Sequence, residues 1–154
     1  MKSWHLICYR ERLHNKIKKE MSDIGMCYFM PLYVNYKKRT DRENVFRRYL
    51  APLFPGYLFL YFSPEDIHTT IILKQPSVID FVRSGHKIQK IPDELIFSLK
   101  MRVNHSEDYN IFPKRIVNDF IEKMLNEENP LIRKSLLMSL ITDYSERSMH
   151  HRNT

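Results

Sequence analysis

The alternation of apolar and polar residues at the start of the chain predicts a strand followed by an amphipathic helix. The segment SWHLICYR, residues 3–10, alternates and is rich in strand-forming residues. Apolar residues then recur in steps of four, four and three, which places them on one face of a helix that Gly25 ends as a C-terminal cap. The residues on that face are Leu13, Ile17, Met21 and Ile24.

The next apolar segment predicts a second strand and a basic hairpin arm. The segment MCYFMPLYV, residues 26–34, is typical of a strand. Because Pro31 has no N–H to donate, we expect this strand to lie at a sheet edge or to bulge there. Residues 35–49 are polar and basic, and we expect a hairpin arm with its tip near Thr40 and Asp41.

The stretch PLFPGYLFLYF, residues 52–62, is strongly apolar for such a basic chain. Pro52 and the pair Pro55-Gly56 set turns, so residues 57–62 are predicted to form a strand. Successive side chains of a strand point to opposite faces of its sheet, and here both faces are apolar. One face carries Tyr57, Phe59 and Tyr61, and the other carries Leu58, Leu60 and Phe62.

Two apolar faces on one strand require two covers. The helices of the same domain can bury one face, whereas the other face, to which Phe54 adds, needs cover from another surface. Apolar faces of this size that lack an internal partner usually mark protein interaction.

Three further elements are predicted before residue 104. The segment SPEDIHTTIILK predicts a helix that is capped by Ser63. The segment SVIDFVRSGHKIQKI predicts a hairpin that turns at Ser84-Gly85, and Pro92-Asp93 begins another helix. This order of elements predicts an α+β sandwich of one mainly antiparallel sheet and three helices for residues 1–104.

Beyond residue 104 the pattern becomes helical. We expect residues 105–112 to be a linker and residues 113–154 to form a C-terminal unit, because apolar residues take helical spacing from Pro113 and again from Pro130. An αα-hairpin of two roughly 15-residue helices cannot bury its apolar stripe alone. We therefore expect this hairpin to pack on the uncovered aromatic face.

The charge is concentrated at one end of the chain. Residues 1–50 hold 12 Lys and Arg against 5 Asp and Glu, which accounts for the whole net charge of +7. A one-sided basic field indicates contact with phosphates or with an acidic partner. The alternative is a solvated basic face that only aids solubility.

Other features bound the class of protein. The sequence has no secretory signal pattern and no apolar run of roughly 20 residues, so we expect a cytoplasmic protein with no membrane partner. The two cysteines, Cys8 and Cys27, do not make a disulfide framework. Neither a metal-binding spacing of histidines nor a catalytic constellation is visible, so we expect no metal, no cofactor and no enzymatic activity.

The order and spacing of five segments resemble the N-terminal domain of NusG-type transcription elongation factors. The segments are SWHLICYR, PLFPGYLFLYF, IHTT, VIDFVRSG and IPDELI. The similarity covers about residues 3–104 and is greatest to the specialised antiterminators of the RfaH type; a weaker similarity returns at LLMSLITDYSERSMHHRNT. The resemblance implies a mainly antiparallel four-stranded sheet with three helices.

The resemblance also implies a partner, RNA polymerase. The aromatic face of such proteins binds the β′ clamp helices, which opposes pausing and termination. Carried onto the matching positions, this face, which we call the docking face, consists of Phe54, Tyr57, Phe59, Ile96 and Leu99.

Two further contacts are implied by the same resemblance. The motif that touches the β gate loop is matched by His68, Thr69 and Thr70. A basic helix faces the non-template strand and upstream DNA, and the matching basic residues here are Arg10, Arg12, Lys16 and Lys19. We expect the protein to act as a monomer.

The sequence departs from the RfaH-type pattern at several positions. Acidic residues Glu11, Glu20 and Asp23 stand among the DNA-reading positions, and Pro76 replaces an arginine. The C-terminal module of the family is a glycine-bearing β-barrel of the KOW type that recruits a ribosomal protein. No glycine follows Gly85 here, so we expect neither a barrel nor ribosome recruitment.

One interdomain contact is also expected to be missing. Arg133 matches an arginine that pairs with an acid across the domain interface of RfaH-type proteins, but the partner position here is Ala51. We therefore expect that particular ion pair to be absent.

Two alternative functions remain open from the residues alone. A small basic domain with histidines is compatible with a nucleic-acid-cleaving effector, for which Arg10, His14 and Glu20 are the candidates. A single-strand nucleic-acid binder would use Tyr57 and Phe59 as stacking platforms.

Overall fold

A computed structural model describes residues 1–38, 41, 45–101, 104–106, 109–111 and 120–152. In these ranges the strands are β1 Ser3–Tyr9, β2 Cys27–Phe29, β3 Leu32–Lys38, β4 Phe46–Pro52, β5 Tyr57–Phe62, β6 Val78–Phe81, β7 Arg83–Ser84, β8 Lys87–Ile88, β9 Lys90–Ile91, β10 Asn104–Ser106 and β11 Tyr109–Ile111. The helices are α1 His14–Asp23, α2 Thr69–Leu73, α3 Asp93–Met101, α4 Phe120–Leu125 and α5 Pro130–Arg152, and a 3₁₀ turn covers Glu11–Leu13.

The central sheet is antiparallel throughout its described strands. Its order is β2-β5-β1-β6, and β9 also pairs with β1. The strand that the sequence predicted at residues 57–62 is confirmed as β5, which lies between β1 and β2. The mixed helix and sheet composition agrees with the predicted α+β class, although this sheet has five described strands where four were expected.

The predicted second strand is divided into two strands that belong to different sheets. β2 joins the central sheet, whereas β3 pairs with β4 in a long antiparallel hairpin that runs from Leu32 opposite Pro52 to Lys38 opposite Phe46. The break falls at Pro31, whose carbonyl accepts a hydrogen bond from the Leu53 N–H at 2.8 Å. Because proline cannot donate to the ladder, the chain changes sheets there.

The segment 105–112 differs from the expected linker where the structure describes it. β10 and β11 pair with each other, and Ile111 of β11 lies parallel to Leu32 of β3. The second sheet therefore has the order β10-β11-β3-β4. Short strands of three residues give too little periodicity to be recognised in a polar segment.

The helix expected from Ser63 begins six residues later, at Thr69. Ser63 instead starts a turn, in which its carbonyl accepts from the N–H groups of Asp66 and Ile67 and its hydroxyl accepts from the N–H of Glu65. Other boundaries agree with expectation: α3 begins at Asp93, and Gly25 follows α1 with a φ of 72°, as a C-terminal cap requires.

The two faces of β5 belong to two separate apolar clusters. Leu58, Leu60 and Phe62 pack with α1 and α2 on one side of the sheet, together with Ile17, Met21 and Ile72. Tyr57, Phe59 and Tyr61 face the opposite side, where α3, α4 and α5 lie. The predicted division of the strand into two apolar faces is therefore confirmed.

The C-terminal residues that the structure describes are helical. α4 and α5 contact each other and are connected by residues 126–129. The predicted helix from Pro113 lies partly outside the described residues, since the description resumes at Phe120. α5 is longer than expected, because its backbone remains helical to Arg152.

Candidate functional site: the aromatic face and its helical cover

The structure brings all five residues of the docking face into one apolar cluster. β5 carries Tyr57 and Phe59, the preceding turn carries Phe54, and α3 carries Ile96 and Leu99. Phe59 is 0% exposed, and its ring lies 6.4 Å from that of Phe54 in an edge-on arrangement. Tyr57 is half-buried at the margin of the cluster. The residues that the sequence grouped by resemblance are thus neighbours in space.

This face is covered by α4 and α5, which we call the helical cover. The cover buries an apolar side of each helix against the same cluster. The covering residues are Ile121, Met124, Leu125, Leu137, Leu140 and Ile141. Because these side chains are buried together with Phe54, Phe59, Ile96 and Leu99, the arrangement removes most of both surfaces from water and leaves only Tyr57 partly exposed.

A buried arginine joins the cover to the domain beneath it. Arg133 of α5 is 3% exposed, and its Nη1 donates to the main-chain carbonyl of Leu53. Its Nε and Nη2 both donate to the carbonyl of Glu127, at 3.1 and 2.8 Å. The guanidinium also lies 5.0 Å from the centre of the Tyr33 ring, a cation–π distance.

The surroundings of Arg133 account for its electrostatics. Burial lowers the pKa of its guanidinium, while Tyr33 and Glu127 oppose that shift. Two main-chain carbonyls and the Tyr33 ring therefore stabilise the buried charge of Arg133. Ala51 stands at the position where the RfaH-type pattern has an acidic partner. Ala51 lies directly opposite Tyr33 in the β3–β4 ladder, so the arginine still reaches the expected region of the domain.

Lys134, the next residue of α5, makes a second polar contact across the same boundary. Its Nζ lies 4.7 Å from the centre of the Tyr57 ring and 3.8 Å from Oε1 of Glu11. The nearby turn requires Gly56, whose φ is 85° and at which an added Cβ would lie 3.1 Å from Cγ of Glu11. Through its contact with the Tyr57 ring, Lys134 covers the edge of the docking face.

The residues matched to the gate-loop motif form the start of α2. His68 is the N-cap, and its Nδ1 accepts a hydrogen bond from the Thr70 N–H at 3.2 Å. Nδ1 also lies 2.8 Å from Oγ1 of Thr70. His68 and Thr70 are exposed. Since Nδ1 is an acceptor, the neutral ring carries its proton on Nε2, which leaves that N–H able to donate to a partner.

The four basic residues of the predicted DNA contact are all exposed. Arg10 and Arg12 line a shallow depression together with Glu11 and Ile79. Lys16 and Lys19 lie on α1, and Nζ of Lys19 is 3.4 Å from a carboxylate oxygen of Asp23. Arg10 and Arg12 are thus brought together, and Asp23 partly offsets the charge of Lys19.

The residues of the nuclease alternative do not converge. The carboxylate of Glu20 is buried and accepts hydrogen bonds from the N–H and hydroxyl of Ser77, at 3.3 and 3.0 Å. Glu20 connects α1 to the loop before β6, so its carboxylate has a structural role.

Cys8 is also poorly suited to act as a nucleophile. Burial raises the pKa of its thiol, which disfavours the thiolate form that a nucleophile needs.

The single-strand stacking alternative also conflicts with the geometry. Phe59 is inaccessible, and Tyr57 lies under Lys134.

Across the ranges that the structure describes, no three metal-ligating side chains form a group, and no helix has the length and apolar character needed to cross a bilayer.

A comparison with protein families decides the broader assignment. The family model described as "Transcription termination factor nusG" matches residues 2–100, well over half of the chain. The chain belongs to the NusG family.

A solved structure of a NusG-family protein is also similar to this chain. It is described as "Domain interaction in Thermotoga maritima NusG" and shares 20% identity, with a TM-score of 0.40. The similarity covers 66% of this chain and 54% of the other, so the chain matches about half the length of that relative. The docking face and the gate-loop motif both lie inside the part of this NusG-family chain that the family model matches.

Proposed function

We propose that this protein is a transcription elongation factor of the RfaH type, which binds RNA polymerase and suppresses pausing and termination. The observation that carries the proposal is the single apolar cluster formed by Phe54, Tyr57, Phe59, Ile96 and Leu99 within a NusG-family domain. In the proposal this docking face binds the β′ clamp helices. Buried aromatic and aliphatic anchors are the residues that dominate such interfaces.

Two exposed regions of the same domain complete the proposed contact. His68, Thr69 and Thr70 contact the β gate loop across the cleft, with the outward N–H of His68 as a donor. Arg10, Arg12, Lys16 and Lys19 face the phosphates of the non-template strand or upstream DNA. A factor that holds both sides of the cleft would favour the closed, transcribing state of the polymerase. The protein acts as a cytoplasmic monomer in this proposal and has no enzymatic activity.

The helical cover regulates this contact by autoinhibition. The apolar side chains of α4 and α5 are buried against the same cluster that the proposal assigns to the polymerase. Both cannot occupy it at once. If only a fraction of molecules is open, the apparent dissociation constant rises in inverse proportion to that fraction.

The buried Arg133 supports the same account. Its hydrogen bond to Leu53 exists only while α5 lies on the domain, whereas its bonds to Glu127 are internal to the C-terminal helices. Opening exposes an apolar surface and breaks the hydrogen bond between Arg133 and Leu53. Both changes raise the free energy of the open state relative to the closed state. Binding to the polymerase must therefore offset this cost.

The proposal is tested by measuring the affinity of the full chain for purified core RNA polymerase. We expect Tyr57→Ala to weaken binding about tenfold or more, because an aromatic anchor is lost from the interface. The matched control is Tyr28→Ala, which removes a half-buried tyrosine from the opposite face of the central sheet. Equal losses from both variants, or no binding of the wild-type chain, would contradict the docking face.

A further inference from the structure

A small site at the edge of the docking face holds the ammonium group of Lys134. Its aromatic wall is the ring of Tyr57, whose centre lies 4.7 Å from Nζ of the lysine. Its anionic wall is the carboxylate of Glu11, whose Oε1 lies 3.8 Å from the same nitrogen. Together with Gly56, which also approaches this nitrogen, we call these residues the cation subsite.

The walls of the cation subsite belong to the domain and not to the helical cover. Tyr57 begins β5, and the N–H of Tyr9, at the end of β1, donates to the Gly56 carbonyl at 2.9 Å. The 3₁₀ turn that follows β1 brings Glu11 beside Gly56, where an added Cβ would lie 3.1 Å from Cγ of Glu11 and 3.6 Å from Nζ of Lys134. The glycine therefore leaves room for the carboxylate, and the subsite stays on the domain when α5 leaves.

The cation subsite lies at the rim of the docking face. The side chain of Lys134 is 21% exposed, whereas that of Glu11 is 59% exposed. Opening removes the lysine and leaves the ring and the carboxylate without this cation. A partner that covers Tyr57 also displaces water from Glu11, and a carboxylate that loses water without gaining a counter-charge costs free energy. A lysine or arginine of the partner avoids that cost, because both walls attract a cation.

We infer that the cation subsite binds a lysine or arginine side chain of the partner that replaces the helical cover. Lys134 then occupies, in the closed state, the place that a basic residue of RNA polymerase takes in the complex. The identity of the partner rests on the proposed function. The inference deepens that function, in which the docking face makes apolar contacts and Glu11 has no role.

The test measures the equilibrium affinity of the full chain for core RNA polymerase without nucleic acid. Lys134→Met serves as the reference, because it removes the internal cation and keeps a long apolar side chain. In this reference chain, we expect Glu11→Gln to weaken binding about threefold or more, the size of a favourable exposed ion pair. Glu11→Asp, which keeps the carboxylate, should retain more affinity than Glu11→Gln.

Further variants of the reference chain separate the ring, the carboxylate and the background charge. Tyr57→Phe should bind like the reference, since a phenyl ring still attracts a cation, whereas Tyr57→Leu should bind more weakly. Asp23→Asn is the matched control: its side chain is 63% exposed on α1, and its replacement should leave affinity unchanged. Thermal unfolding checks the fold of each variant, and Glu11→Ala is measured in parallel so that the result does not depend on one substitution.

The possible failures are distinguishable. Absence of binding by both the wild-type chain and Lys134→Met would contradict the proposed function and, with it, the inference. Binding by Lys134→Met that is unchanged or tighter after Glu11→Gln would overturn the inference alone. Equal losses from Glu11→Gln and Asp23→Asn would also overturn it, because the effect would then follow the net charge of the chain.

Discussion

The guanidinium of Arg133 donates a hydrogen bond to the main-chain carbonyl of Leu53, which lies 80 residues earlier in the chain. Leu53 immediately precedes Phe54 of the docking face, and both residues are 1% exposed. One buried cation of the C-terminal helices is thus attached to the backbone that shapes the proposed polymerase contact. It donates to main-chain carbonyls and also interacts with the Tyr33 side chain, so its contact with the domain does not require an acidic side chain there.

Removal of this cation should destabilise the closed protein. Arg133→Ala leaves the buried carbonyl of Leu53 without this donor, and an unsatisfied buried group costs about 1–3 kcal/mol. We expect the free energy of unfolding of the full chain, measured in urea, to fall by at least about 1 kcal/mol. Arg133→Lys should recover only part of the loss, because an ammonium cannot reproduce the planar fork of donors.

The control for this measurement is Arg83→Ala, which removes an exposed arginine that pairs with Asp80 at the surface. Surface substitutions usually change stability by less than about 0.5 kcal/mol. If Arg133→Ala and Arg83→Ala have the same small effect, Arg133 does not stabilise the closed state.

The basic helix should affect polymerase binding in a different way from the docking face. Lys16 is exposed on α1, so Lys16→Ala should change affinity less than Tyr57→Ala and should reduce its dependence on salt. The measurement is affinity for core polymerase on a nucleic-acid scaffold at several salt concentrations. An equal loss in both variants, with unchanged salt dependence for Lys16→Ala, would argue against this division of roles.

Stability should fall in acid because of His5. This histidine of β1 is buried, 4.8 Å from the Phe62 ring centre, and desolvation lowers its pKa below the ordinary 6.5. The unfolded chain therefore binds a proton more readily than the folded chain, so the contribution is complete above the unfolded pKa and declines as pH falls through it.

Urea unfolding between about pH 5 and pH 7.5, the range in which an unperturbed histidine titrates, tests the role of His5. We expect His5→Gln to be less sensitive to pH over this interval than wild type. His86→Gln, at an exposed turn between β7 and β8, is the control and should keep the wild-type profile. Parallel profiles for wild type and His5→Gln would exclude this source of acid sensitivity.

The released C-terminal segment should not become a β-barrel. No glycine follows Gly85, so the segment lacks residues that favour the tight turns between barrel strands. A helix of about 15 residues is marginal alone in water. Far-UV circular dichroism of a peptide covering residues 113–152 should therefore show a helical or disordered spectrum. A β-rich spectrum at low peptide concentration would contradict this expectation.

Elements with strong local patterns could be predicted from the sequence. The alternation in residues 57–62 predicted β5 and its two faces, and Asp93 correctly marked the start of α3. Local patterns failed where distant contacts decide the outcome. The division at Pro31 depends on which sheet each half of the strand joins, and β11 depends on pairing with Leu32.

The same limit applies to the candidate sites. The grouping of the docking-face residues in one cluster could be predicted because Phe54, Tyr57 and Phe59 are close in sequence and match a family motif. The acceptor of Arg133 was missed because a main-chain carbonyl has no sequence signature.

The central claim is that α4 and α5 cover the surface that binds RNA polymerase, and its most direct test is deletion of residues 106–154. The measurement is the equilibrium affinity of the soluble, monodisperse truncated chain for core RNA polymerase, compared with the full chain. We expect tighter binding by the truncated chain, because the fraction of molecules with an open docking face rises toward one. Affinity equal to or weaker than that of the full chain, with the domain still folded, would contradict the account.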